Sequence, residues 1–185
     1  IHIVSEQSGQ MAAVGYDMYC RMMREAVAEI KGEHVDKINE TSVEIGLSAH
    51  GPQEYISDDM QRIEIYKKIA AIDNVKTARV LKEEIMDRYG RLPKTVENLM
   101  LISLIKAYAA QAGILSVTRN GRLFTLKYAE TASVNIEILL RVLAEYPKTA
   151  QLKAAEPPYI VFKADKHAVD ELLRFLTNIR RCIKD

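Results

Sequence analysis

Three observations predict an α+β fold. Apolar residues recur at helical spacing in four blocks between Gln10 and Ala110, with one short strand pattern between the first two. Beyond Gly113, two strand-like runs flank Asn120-Gly121, and two more, AQLKA and YIVFKA, follow a further helical stretch. An amphipathic segment from Ala168 closes the chain. N-terminal helices followed by a small antiparallel sheet with packed helices is the α+β order.

The first helix is predicted from about Gln10 to Lys31. Met11, Val14, Gly15, Met18, Met22, Ala26 and Ile30 fall three or four apart on one broad face. Ser8 suits its N-cap and Gly32 its stop. Two Met-rich rows also suit an adaptable groove, but this spacing is that of a core face. TSVEIGL, Thr41 to Leu47, alternates as a short strand, and SAHGPQEYIS is a loop broken at Gly51-Pro52.

From Asp58 the helical period returns, with Asp58 or Asp59 as cap and Met60, Ile63, Tyr66, Lys67 and Ala70 sharing a face. Asn74 caps the next helix, which uses Val80, Leu81, Ile85 and Tyr89 and ends at a left-handed Gly90. Pro93 opens its successor, where Val96, Leu99, Met100, Ile102, Ser103, Lys106 and Ala110 make a helix apolar almost all round and therefore buried on several sides. Asn120-Gly121 is the strongest hairpin signal in the chain. Val134 to Tyr146 is helical and stops before Pro147, a turn falls near Pro157-Pro158, and Ala168 to Ile183 is the closing helix. No internal repeat or low-complexity linker interrupts this order.

A chain of 185 residues buries roughly 70% of its unfolded surface, enough for a real core. Its formal net charge of +1 argues against a strongly electrostatic partner, since wholesale phosphate binding needs a basic excess or stripe. No apolar run approaches the ~20 residues that span a bilayer, and no stretch has the form of a signal peptide. Cys20 and Cys182 are lone cysteines on apolar helix faces, which points to a reducing compartment. The expectation is a soluble cytoplasmic domain without membrane partners.

The sequence carries no legible reaction centre. Its eight glycines never form a phosphate-cradling loop, so the chain is expected neither to bind nor to hydrolyse ATP. Ser48 and His50 in GLSAHG could suggest a nucleophile turn, and hence a small hydrolase. The spacing is one residue too long for G-x-S-x-G, and no third group orients the base. His2, His34, His50 and His167 are scattered without metal-ligand spacing. Asp58-Asp59 lies in a first helical turn and Glu83-Glu84 beside Lys82, where dipole capping and surface charge explain them. Arg174, Arg180, Arg181 and Lys184 make a basic ending that suits a helix C-terminus. An accessory nucleic-acid module remains the alternative reading. It would require Arg119, Arg122, Arg174, Arg180 and Arg181 to gather on one face.

Three stretches resemble the C-terminal domain of bacterial transcription-repair coupling factors (Mfd). EQSGQMAAVGYDMYCRMMREAV, Glu6 to Val27, is similar to E-Q-S-G-x-I-x-x-V-G-F-x-L-Y-x-x-M-L-x-x-A-V. PQEYISDDMQRIEIYKKIA, Pro52 to Ala70, is similar to P-x-x-Y-I-x-D-x-x-x-R-L-x-x-Y-K. EIMDRYGRLPKTVENLM, Glu84 to Met100, is similar to E-L-x-D-R-F-G-x-L-P-x-x-V-x-N-L-L. Beyond about residue 110 only the order of elements matches. His50-Gly51 departs from the family's usual Tyr-Ile.

The resemblance implies that Glu6, Gln7, Ser8 and Gly9 are the tail of a translocation motif, as in the related RecG helicases. Residues 1–10 would then end an upstream motor, and residues 11–185 would be the C-terminal regulatory domain. It implies an ATP-driven DNA translocase that displaces stalled RNA polymerase and recruits excision repair, with ATP and magnesium held in motor domains and no cofactor in this chain. The domain's partner would be the N-terminal UvrA-binding module of the same protein, masked until polymerase is engaged. UvrA and RNA polymerase are indirect partners, and duplex DNA is met through the motor. Arg62, Asp87 and Arg88 are the candidate interdomain contacts, beside motif aromatics Tyr66 and Tyr89 and expected to be exposed. Asp87 and Arg88 equally suit bracing of the Gly90 turn.

Overall fold

The computed structural model describes residues 40–49 and 54–184. The first predicted helix, with Cys20, the motif residues Glu6 to Gly9, and His2, His34 and His50, lies outside them. The described residues fall into two compact units, 47–104 and 40–46 with 105–184.

In the first unit, helix α1 is Asp59–Ala70 and helix α2 is Val75–Tyr89. Helix α3, Lys94–Gln111, begins here and runs into the second. Asp58, rather than Asp59, caps α1: its side chain accepts from the Gln61 N–H at 2.9 Å. Asn74 caps α2 through a reciprocal box, accepting from the Thr77 N–H at 2.8 Å while its own N–H donates to Thr77 Oγ1 at 3.3 Å. Gly90 ends α2 with φ +87° and ψ −157°, so its φ is positive as expected. Its ψ places it in the mirror image of extended backbone instead of the left-handed helix region. That region is open essentially to glycine alone.

The buried face of α1 differs from the expected one. Ile65, Ile69 and Ala70 are buried, whereas Met60 is 78% exposed. Apolar residues flank both sides of this helix, so periodicity alone left two faces in competition, and packing selected the Ile65–Ile69 row. In α2, likewise, Leu81 and Ile85 are buried and Val80 faces solvent. Helix α3 is buried around much of its circumference, including the polar Asn98, Ser103 and Lys106.

The second unit holds a five-stranded sheet made of β1 (Ser42–Glu44), β2 (Ile114–Asn120), β3 (Leu123–Tyr128), β4 (Ala150–Lys153) and β5 (Tyr159–Lys163). Their order is β1-β2-β3-β5-β4. Only β1 is parallel to its neighbour, with Val43 opposite Val117; the other pairs are antiparallel. The sheet is therefore mixed and mostly antiparallel. Strand β1 is shorter than the predicted Thr41–Leu47, because the backbone bends at Ile45 and Gly46 takes φ +74°.

The hairpin loop also sits one residue later than the Asn120-Gly121 signal implies. Asn120 pairs with Leu123, leaving Gly121 and Arg122 as the turn. Gly121 has φ +60°, and no other residue type described has positive φ. The turn is thus of the II′ kind, with glycine first, instead of the I′ kind that Asn-Gly favours.

Helices α4 (Ile136–Leu143) and α5 (Ala168–Ile179) pack on one face of this sheet. Phe162 of β5 stacks on Phe175 of α5 with centroids 4.4 Å apart, Tyr146 meets Phe175 edge-on at 5.0 Å, and Phe124 stacks on Phe162 at 6.5 Å. Helix α4 is shorter than predicted: Asn135 caps it, and irregular turns follow Leu143. Helix α5 stops at Ile179 and gives way to a 3-10 turn, Arg180–Cys182. Ile183 is drawn out of the helix because it bridges Val134, while the Asn135 N–H donates to the Cys182 carbonyl at 2.7 Å.

Candidate functional site

Two of the motif stretches meet in the first unit, where Pro52–Ala70 contains the whole of α1 and Glu84–Met100 the end of α2. Tyr55 donates its hydroxyl to the Gly90 carbonyl, and Tyr89 donates to Gln61 Oε1 at 3.0 Å. The two rings meet edge-on, centroids 5.9 Å apart. Burial and the neighbouring Tyr89 push the Tyr55 phenol above its ordinary pKa, so it stays a donor across the physiological range. Asn98, also from the third motif, donates to the Ser48 carbonyl at 2.8 Å and holds the loop ahead of α1. These motif side chains grip particular backbone atoms.

Arg62, expected at the surface, is only 20% exposed. Its guanidinium donates to Asp59 at 2.6 Å and to the Ile56 carbonyl at 3.3 Å, fastening the incoming chain to α1. A guanidinium held by two acceptors can lie close to the protein without an unpaired-charge penalty. Asp87 and Arg88 are exposed, beside the exposed Met86. The Arg88 guanidinium lies 5.1 Å above the Tyr89 ring centre and 3.8 Å from Glu84. Glu84 does more than face solvent beside Lys82: it accepts from Lys68 of α1 at 2.7 Å, and this bond raises the Lys68 pKa. Sequence reasoning missed Tyr55, Gln61, Lys68 and Glu84 as the links between α1 and α2. The aromatic and charged positions inside the quoted motifs were the available signal.

The remaining candidates resolve individually. Ser48 is exposed, and its carbonyl serves Asn98. His167 stands at the α5 N-cap without capping through its side chain, and Glu171 accepts from its N–H at 3.1 Å. No group of three metal-ligating side chains occurs among the described residues. Cys182 is buried, which pushes its thiol pKa up. Four of the five arginines of the alternative reading fall into two separate groups. Arg119 and Arg122 flank the hairpin tip. Arg180 and Arg181 sit at the other end, where Ile183 packs over Gly113. Strand β2 separates the two groups by about 20 Å.

Residues 45–139 match the TRCF domain family. The chain belongs to that family. The recognition from the three motifs thus holds, and the TRCF match reaches through the β2–β3 hairpin into α4, beyond the motifs themselves. A transcription-repair-coupling factor of Bacillus subtilis is 32% identical over 134 residues, covering 72% of this chain. One from Staphylococcus aureus is 28% identical over 184 residues, covering 97% of this chain. These relatives are much longer, and the chain spans 11% and 16% of their lengths. The crystal structure of a C-terminal domain of transcription-repair coupling factor superposes with a TM-score of 0.62 at 27% identity, covering 77% of this chain and 94% of that one. The TRCF chain is accordingly the C-terminal domain of a transcription-repair coupling factor.

Proposed function

We propose that this TRCF domain is a non-catalytic regulatory element of an ATP-dependent DNA translocase in transcription-coupled repair. It masks the UvrA-binding module of the same protein until stalled RNA polymerase is engaged. The observation that carries the reading is the braced C-terminal turn of α2. Tyr55 and Tyr89 lock it from behind, while Met86, Asp87 and Arg88 stand exposed on it. An apolar side chain beside two opposite charges, on a turn held by two tyrosine hydrogen bonds, is preorganised for a docking partner. The same turn also braces Gly90, and the two roles are compatible. Arg62 acts behind this surface, holding α1 in place. Masking requires only modest energy: a coupling of about 1–3 kcal/mol changes availability of a masked site by 5- to 150-fold. ATP, magnesium and duplex DNA belong to the motor, and UvrA and polymerase reach this domain indirectly. Among the described residues no helix is long and apolar enough to cross a membrane.

The test is charge reversal, Arg88→Glu, in the full-length protein. UvrA affinity, measured without ATP or polymerase, is expected to rise within that 5- to 150-fold range while the 185-residue chain keeps its melting temperature. A folded variant with unchanged UvrA affinity removes Arg88 from the interface. Deletion of Gln10 to Asp185 with UvrA affinity also unchanged ends the masking role altogether.

A further inference from the structure

Among the described residues, helices α4 and α5 pack on one face of the sheet in the second unit. Phe124, Leu126, Tyr128, Ile160 and Phe162 point towards α4 and α5 and are buried. The alternate residues of the same strands make an outer face that stays partly or wholly open. Register aligns them in rows: Lys127 and Lys153 lie on either side of Tyr159, and Thr125 and Gln151 on either side of Val161. Leu123 lies beside Lys163, and is 43% exposed.

Within β3, β4 and β5 the charge on this face is one-sided. Lys127, Lys153 and Lys163 are all exposed, and none has a carboxylate partner among the described residues. Some helix-surface cations elsewhere are paired with acids, as with Lys68–Glu84, Lys82–Glu97 and Arg141–Glu137. No Asp or Glu occurs within β3, β4 or β5. The nearest acids lie outside these strands: Glu130 in the loop after β3, Glu156 in the β4–β5 turn, Glu44 on β1, and Asp165 past the end of β5, which faces Arg122 at 4.0 Å. Strand spacing puts the Lys127 and Lys153 backbones about 10 Å apart, with Lys163 about 13 Å along from Tyr159.

We propose that this outer face, with Lys127, Lys153 and Lys163 set around Tyr159, is a docking surface for single-stranded nucleic acid. Unpaired ammonium groups at this spacing complement successive phosphates, and a partly exposed tyrosine between two of them offers a ring on which one base stacks. An open sheet with an aromatic and a basic surround is the general platform for unpaired strands, which can splay bases onto it. A duplex offers phosphates but no free base to stack on the ring, since its bases are already stacked on one another. A near-neutral chain can still do this, because these three cations are local and without a carboxylate partner among the described residues. The surface is distinct from the arginine cluster that the chain fails to assemble. It does not depend on the masking reading, which concerns α2.

The test uses the 185-residue chain and a fluorescently labelled 12-nucleotide oligo(dT), titrated by anisotropy. With three phosphate contacts, raising salt from 50 to 200 mM is expected to weaken binding by about 15- to 20-fold. Replacing all three lysines by glutamine abolishes that salt dependence and lowers affinity at 50 mM at least tenfold, whereas replacing them by arginine preserves binding. Tyr159→Ala weakens binding about fivefold or more while leaving the salt slope in place. Arg180→Gln with Arg181→Gln changes nothing. The proposal is overturned if the parent chain shows no saturable binding, or if the triple glutamine variant binds as well as the parent. It is equally overturned if a duplex of the same length or a polyglutamate peptide binds as tightly as oligo(dT). Lys127, Lys153, Tyr159 and Lys163 are on outward strand positions, so circular dichroism should be unchanged and a loss can be read as binding.

Discussion

The two units of this TRCF domain are held together by different means. In residues 47–104, named polar side chains grip named backbone atoms: Asp58 and Asn74 at helix starts, Arg62 on Ile56, Tyr55 on Gly90, Asn98 on Ser48. In residues 105–184, all three phenylalanines of the chain meet in one aromatic stack. The contrast explains why the recognisable motifs lie in the helical unit. A hydrogen bond to a given carbonyl demands one residue type at one position, while a packed face accepts any apolar set of the right volume. The helical unit is therefore legible as words, and the sheet unit mainly as a pattern.

The contrast can be broken most forcefully in the aromatic stack. Phe162→Ala removes a buried ring that touches Phe124, Tyr146 and Phe175, and is expected to cost about 3–5 kcal/mol. Chemical denaturation of the variant measures it. A loss below about 1 kcal/mol would mean that the stack is not what stabilises the sheet unit.

The helical unit should respond to backbone strain instead. Gly90→Val forces a branched side chain into a conformation open to glycine, and about 1–3 kcal/mol is expected to be lost. No atom lies within 4 Å of the added Cβ, so the cost is conformational and not steric. Gly90→Ala should then lose a comparable amount, and two unchanged melting temperatures would refute this account of the turn.

The smallest effect has the opposite sign. The Tyr128 hydroxyl is buried without a hydrogen-bond partner, and desolvation raises its pKa well above that of a free tyrosine. Because the folded pKa is raised, the unfolded chain releases this proton first. Stability is therefore fully present below about pH 10 and falls as pH climbs further. Tyr128→Phe removes an unsatisfied polar group and should stabilise the domain by about 1 kcal/mol at neutral pH. It should also make stability less steeply dependent on pH above 10. Urea melts of both proteins at pH 7 and pH 10.5 check the two parts together, and a destabilised phenylalanine variant would mean that the hydroxyl is satisfied after all.

Local chemistry was written plainly in the sequence. The α+β order, the capping of α2 by Asn74, the helix stop at Gly90, the hairpin near Gly121 and the family itself follow from short-range signals or quoted motifs. Each depends on residues within a few positions of one another. What tertiary structure alone decided is which of two apolar faces α1 buries, that β1 joins the sheet in parallel, and that Ile183 leaves the last helix to pair with Val134. It also decided that Arg62 is held close while Asp87 and Arg88 remain at the surface, and that three lysines from three strands surround one tyrosine. The physical reason is common to all of these. Hydrophobic burial is non-directional and strand pairing joins residues distant in the chain, so faces, partners and neighbours are selected only when the whole chain competes for the same interior.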